Sequence, residues 1–447
     1  MIKWTLAAGA ALGVCKGKIV EILEQTAGRE TAFAAAESTS TRSVHIVGDN
    51  GGLAWFTQLF PIPAIATSTN GLVSYATPNV GAMATGTDNA YWLGKNTPWV
   101  DLPAALQATC FLAGTSQAHV QNGAQQSVSV LGANNIFAFA TALQASSPSV
   151  VPVIAVSGVG IGSAPGSAQP TAVVSSTDIV NLFNSAASRA GGLLAKSNDA
   201  TTYAVQYAAF AQLNRASQRS TQKIGYRTAI GAAGLLGTNL EAQLRIDTTA
   251  DYARYGVTAG DVKELPIAQA LIIAVKAFRM GLTNSIVLPA MSDDPHSAFS
   301  DGRVNTVPGK LKGILDAFMK DLKASTDSVT GQVLSDDTVI TVTGDTPKDV
   351  TNHAQGDWTD GTPGGANQVF VYSAGHLKSG WFGSTSAAGV VTGYGADGKP
   401  AAFNNANTAK YALASIAYAI AKGDERAIAP FANGTTISGN FGRPKQL

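Results

Sequence analysis

Cysteine is nearly absent: the 447 residues contain only Cys15 and Cys110. Neither sits in a CxxC pair or a Cys/His cluster, which excludes a disulfide framework and a thiolate metal site. Cys110 lies in the apolar run ALQATCFLAG and reads as a small buried hydrophobe. Charge is scarce as well, with Asp, Glu, Lys and Arg at 13% against about 25% in ordinary soluble domains. The net charge is +1 and the basic residues are scattered, so no basic face exists to steer the chain onto a phosphate backbone. Nucleic acid is therefore not an expected partner. Weak self-repulsion favours protein partners or self-association instead. The chain also lacks heptads, internal repeats and any apolar stretch long enough to span a bilayer.

A core is well provided for: 45% of residues are hydrophobic and the mean hydropathy is +0.11. Near the start, Lys3 precedes an apolar run from Trp4 to Val14, the length of a signal-peptide core, and KGKIVEILEQTAGRE follows with the look of an amphipathic helix. Residues 1–40 are read as a helical signal or anchor segment with possible membrane contact, and the protein as exported to the periplasm, envelope or exterior. Residues 41–447 are read as a single α/β domain with irregular insertions.

The first strand is SVHIV, Ser43 to Val47, and it empties into Gly48-Asp49-Asn50-Gly51-Gly52, a turn rich in residues that tolerate positive φ. Asp49 stands at a common metal-ligand position, and reads equally as a turn cap. A strand or buried segment over Ala105 to Ala113 leads into Gly114-Thr115-Ser116. A hydroxyl at a strand-to-helix junction faces free N–H groups, so Ser116 and Thr115 are candidate nucleophiles, with an N-cap as the plainer reading. GxGxG at Gly158 to Gly162 is followed by Ser and Pro rather than a helix, and reads as a loop. Helices are expected over Asp178 to Lys196, Thr201 to Arg219 and Thr238 to Tyr255.

The most informative stretch runs from Leu265 to Gly383. An apolar helix (Leu265 to Leu282) enters a strand (Ser285 to Met291) that ends in Asp293-Asp294-Pro295-His296. A second helix (Gly309 to Leu322) repeats apolar residues at Leu311, Ile314, Leu315, Phe318 and Leu322, the spacing of one buried face. The next strand, Asp337 to Asp345, alternates β-branched residues and again ends in an acid. Two parallel strands would place Asp294, His296 and Asp345 on one edge, where open α/β sheets bind ligands.

These residues resemble the bacterial DUF1501 proteins, relatives of sulfatases and alkaline phosphatases that are often exported. The likeness rests on LPIAQALIIAVKAFRMG, SIVLPAMSDDPH, LKGILDAFMKDL, VITVTGD and GHLKSGWFG, and more faintly on SVHIVGDNGGL. It implies a three-layer α/β/α sandwich with a mainly parallel central sheet. What it leaves of the family's metal site is one divalent ion, Zn, Ca or Mg, held by Asp49, Asp294, His296 and Asp345, or no metal at all. The later Gly-Thr-Asp-His-Gly motif of the family corresponds here to Gly361-Thr362-Pro363-Gly364-Gly365, so two expected ligands are missing. His353, Asp357, Asp360 and His376 are the nearby substitutes. If they fail, a non-catalytic scaffold within an envelope-associated or extracellular assembly is the better reading, with a metal-dependent phosphate or sulfate ester hydrolase as the alternative.

Overall fold

A computed structural model describes residues 40–73, 75, 80–115, 136–144, 149–157, 164, 166–183, 201–206, 235, 239–328, 331–345, 347–432 and 434–444. Eight strands form its main sheet: β1 (Arg42–Gly48), β4 (Thr109–Thr115), β5 (Val151–Val156), β6 (Thr171–Val173), β7 (Thr283–Ala290), β8 (Thr338–Gly344), β9 (Ala366–Tyr372) and β10 (Gly380–Phe382). Their order is β10-β4-β9-β8-β1-β7-β5-β6. The run β8-β1-β7-β5-β6 is parallel throughout, whereas β9 runs against both its neighbours, β8 and β4. Because β9 reverses twice, β4 points the same way as β8 and β1. The remaining strands make two small antiparallel sheets, β2 (Val80–Met83) with β3 (Trp92–Gly94), and β11 (Ser384–Thr385), β12 (Val391–Tyr394) and β13 (Pro400–Ala402).

Parallel strands covered on both faces are apolar in near-continuous runs, and every residue of β1, β8 and β9 is buried. Alternate side chains enter two cores. Val44, Ile46, Ile286, Leu288, Ile340 and Val342 pack with the helices Leu265–Arg279 and Val307–Lys323. Val47, Val287, Val339 and Val371 face the helices Asn405–Ile420, Glu425–Ala432 and Ile136–Gln144 on the other side. The fold is thus mixed α/β, with a large and mainly parallel sheet.

The Val307–Lys323 helix buries Leu311, Ile314, Leu315, Phe318 and Leu322, the face its spacing predicts. It starts ahead of Gly309 because Pro308 suits the first turn, where a missing N–H costs nothing. The Leu265–Arg279 helix likewise has Pro in its first turn and Lys276 and Arg279 in its last, where cations suit the helix dipole.

One expected helix is broken. Instead of Thr238 to Tyr255, two short helices form, Leu240–Leu244 and Ala250–Tyr255. Asp247 Oδ1 accepts the N–H of Thr249 at 2.8 Å and of Ala250 at 2.9 Å, capping a new start instead of continuing the old helix. The expected helix from Asp178 is seen as Asp178–Phe183; its remainder, most of the Thr201 to Arg219 helix and the loop Gly158 to Gly162 lie outside the described residues. So does the segment before Ser40. No helix among the described residues is long and apolar enough to cross a membrane.

Two buried polar features mark the sheet. At the amino ends of β1 and β8, the buried Arg42 bonds Asp327 at 2.5 Å and Asp337 at 2.7 Å, and Lys422 reaches Asp337 at 2.5 Å. Removing one partner of such a cluster strands a buried charge. Asp337→Ala is therefore expected to lower the unfolding free energy by about 3–5 kcal/mol, read as a shift in urea midpoint.

In the middle of β1, the fully buried His45 faces Thr341 Oγ1 across 2.7 Å, and burial lowers its pKa from 6.5 to about 3. The unfolded chain therefore binds this proton at a higher pH than the folded one does. The resulting stability is complete above pH 6.5 and drains away as pH falls toward 3. The slope is about 1.4 kcal/mol per pH unit at most. His45→Gln should flatten the melting-temperature profile between these limits; an unchanged slope would assign the acid sensitivity elsewhere.

Candidate functional site

Three strands finish level with one another, since Gly48 pairs with both Ala290 and Gly344. Their loops must leave the sheet at one edge, and space there is very tight. A Cβ on Gly344 would sit 2.5 Å from Gly48 O, and one on Gly52 would sit 1.6 Å from Met291 O. Asn50 and Met291 adopt positive φ of 48° and 53° to make these exits. Positive φ in non-glycine residues is costly and is held only by dense surroundings.

The strand-end acids are engaged by the chain's own groups. Asp345 is fully buried, and its Oδ2 accepts the Gly51 N–H at 2.7 Å, tying the β1 turn to the end of β8. The backbone of Asp49 joins the same turn, its N–H donating to Ala290 O at 3.0 Å and its carbonyl accepting from Gly52 at 2.8 Å. Asp293 is held by Arg303 Nη1 at 2.6 Å, and that guanidinium lies 5.4 Å from the ring centre of the buried Trp55.

Beyond Asp293 the β7 loop meets the loop that follows β8. His296 Nδ1 lies 3.0 Å from Asp357 Oδ1. Its Nε2 lies 3.3 Å from Asp294 Oδ2 and 3.2 Å from Asp360 Oδ2. The Lys348 ammonium sits between them, 2.6 Å from Asp294 Oδ1 and 2.9 Å from His296 Nε2, and it also bonds Asp360 Oδ1. The lysine side chain is 0% exposed while the imidazole is 41% exposed. The cluster is therefore a shallow surface shell with an ammonium at its base. The roles of the two ring nitrogens follow the tautomer: with the proton on Nδ1 facing Asp357, Nε2 can accept from the ammonium.

Buried Trp358 fixes the two loops to each other: its backbone N–H donates to His296 O at 2.7 Å, and its indole N–H to Asp349 O at 2.9 Å. Phe299 packs edge-on against that indole at 5.4 Å and stacks on His353 at 3.9 Å.

Among the described residues, Asp294, His296 and Asp360 form a group able to hold a metal ion, their ligand atoms all within 4.8 Å of one another. The sequence-predicted residues thus divide. Asp294 and His296 meet, while Asp49 and Asp345 stand at neighbouring strand ends outside that group. Of the substitutes, Asp357 and Asp360 reach His296, whereas His353 bonds Val73 O at 3.1 Å and His376 caps the turn after Ser373. Thr115 closes β4 on the same sheet edge, and Ser116 lies outside the described residues. Lys348 was not anticipated. Its only signal is a lone cation three residues past a strand-end acid in a chain poor in charge.

The chain matches no protein-family model and no curated protein. The cluster's chemistry must therefore be argued from its donors. Two carboxylates and one imidazole suit a divalent ion. A protonated lysine within bonding distance of the same three side chains does not leave room for one. As the chain stands, the Lys348 side chain occupies the centre of the three residues that could hold an ion.

The glycine contacts make a direct test. Gly52→Ala forces a methyl into the Met291 carbonyl at 1.6 Å and should cost about 3 kcal/mol, the upper end of the usual overpacking range. Gly71→Ala, with nothing within 4 Å, should leave the melting temperature unchanged. Equal melting temperatures for the two variants would show that the strand ends are not packed this tightly.

Proposed function

We propose that this protein is a non-catalytic, DUF1501-like scaffold that serves as a subunit of an envelope-associated or extracellular assembly in bacteria. The observation that carries this reading is the ammonium of Lys348, set among His296, Asp360 and the ion-paired Asp294 at the carboxyl edge of the sheet. Metal-dependent ester hydrolysis needs a Lewis acid to meet the charge that develops on the transferred group. Here the donors for such an ion are held by a side chain that cannot exchange ligands.

The region of the missing third motif supports the same conclusion. Pro363–Gly365 forms a tight turn with positive φ at Gly364 and Gly365 that feeds directly into β9, and it offers no metal-ligating side chain. A surface with few charges and a net charge of +1 suits packing against other subunits more than steering a charged ester. On this reading the acids Asp345 and Asp293 are retained as fasteners of the loops.

A second reading, a hydrolase of phosphate or sulfate esters, is favoured by one observation, the converging ligand atoms of Asp294, His296 and Asp360. Thr115, at the end of β4, and Ser116, outside the described residues, would then be the nucleophile candidates.

The two readings separate in one experiment. Purified protein is offered p-nitrophenyl phosphate and p-nitrophenyl sulfate with zinc, magnesium or calcium, beside Asp294→Ala and His296→Ala variants. The scaffold reading expects no turnover above the variants. It also expects the native protein, gently extracted from its cells, to sediment well above its own 45.7 kDa. Turnover that disappears in both variants would establish the hydrolase, and a monomer in the native extract would remove the assembly.

A further inference from the structure

We propose that Lys348 is the resident cation of this cluster, and that a divalent-metal site lies latent beneath it, exposed when residue 348 loses its amine. The inference deepens the scaffold reading and takes from it the premise that the site holds no metal in the native chain.

The Lys348 ammonium is hydrogen-bonded to Asp360 Oδ1 and within 2.9 Å of His296 Nε2, and it makes an ion-pair contact with Asp294 Oδ1 at 2.6 Å, so three side chains surround Nζ. The same three side chains are the group whose ligand atoms lie within 4.8 Å of one another. The lysine nitrogen therefore stands where an ion bound by those side chains would stand. Ligand bonds to zinc are about 2.0–2.2 Å, so the Asp294 oxygen would move inward by about half an ångström and the His296 nitrogen by just under one. The carboxylates can do so, since Asp294 and Asp360 are 32% and 46% exposed and rotate at a surface.

A second feature is independent of the lysine. Asp357 Oδ1 sits 3.0 Å from His296 Nδ1, on the far side of the ring. A carboxylate there holds the imidazole in the tautomer whose Nε2 lone pair points into the cluster, which is the arrangement that orients a metal-ligating histidine. The backbone hydrogen bond from Trp358 to His296 O at 2.7 Å fixes the residue from the main-chain side. The imidazole is thus already aimed, and only the occupant of the centre differs. A lysine supplies one positive charge at this point where zinc supplies two, without exchangeable ligands and hence without Lewis acidity.

The test compares the wild-type chain with Lys348→Ala. Both are stripped with EDTA and then exposed to equimolar zinc, with bound metal read by mass spectrometry and stability by thermal melting. The wild type should retain no stoichiometric zinc and melt at the same temperature with or without it. Lys348→Ala should take up one zinc per chain and melt higher with zinc than with EDTA, and both effects should vanish in Lys348→Ala/His296→Ala. Stoichiometric zinc on the wild type that His296→Ala abolishes would overturn the proposal, as would a folded Lys348→Ala that takes up none.

Lys348→Gln keeps most of the side-chain volume and serves as the folding control. If Lys348→Ala folds only when zinc is in the refolding buffer, the proposal stands. If it folds in neither buffer while Lys348→Gln folds and stays free of zinc, the proposal fails. Zinc uptake by Lys348→Ala is independent of ester turnover and of sedimentation, so this inference and the scaffold reading can fail separately.

Discussion

The level ending of β7, β1 and β8 is the constraint on which the rest of the molecule depends. These strands are buried on both faces, so their backbone groups must pair with one another and cannot turn out of the sheet before its edge. With Gly48 opposite both Ala290 and Gly344, three loops emerge from nearly the same place. Glycine at 48, 52 and 344 makes the crowding possible, and the buried carboxylate of Asp345 fastens the first loop to the third. The cluster around His296 forms beyond this knot, where the second and third loops have room to meet.

Much of this was legible in the sequence, for physical reasons that can be named. The Val307–Lys323 helix announces itself by periodicity, because one face is buried, and strands β7 and β8 by short apolar and β-branched runs, because both faces are. The meeting of Asp294 and His296 follows from their shared loop. Strand β9 was not legible as an antiparallel insertion, because a run such as NQVFVY says strand and not direction. The split near Asp247 was missed because a side-chain cap two residues along outweighs the helix-forming residues around it.

Lys348 was invisible for a different reason. Its partners are Asp294 and His296, more than fifty residues earlier, and Asp360, twelve residues later, and pairings over such separations leave no local pattern. A sequence can show which acids stand at strand ends. It does not show that a neutral chain places one of its few cations among them. The loops that contribute the cluster's two halves are joined by Trp358 and Phe299.

The ion cluster of Arg42, Asp327, Asp337 and Lys422 sits at the opposite end of the sheet. It fixes the point at which the polypeptide enters β1, and the Thr41 N–H bonded to Ile420 O at 2.8 Å continues that hold toward Ser40. The molecule therefore has a polarity along its strands: the chain comes in at one end, and the lysine-filled shell opens at the other. The strand that carries Arg42 thus begins at the end of the sheet farthest from the shell, and the two charged clusters stand at opposite ends of its neighbour β8, which Asp337 precedes and Lys348 follows.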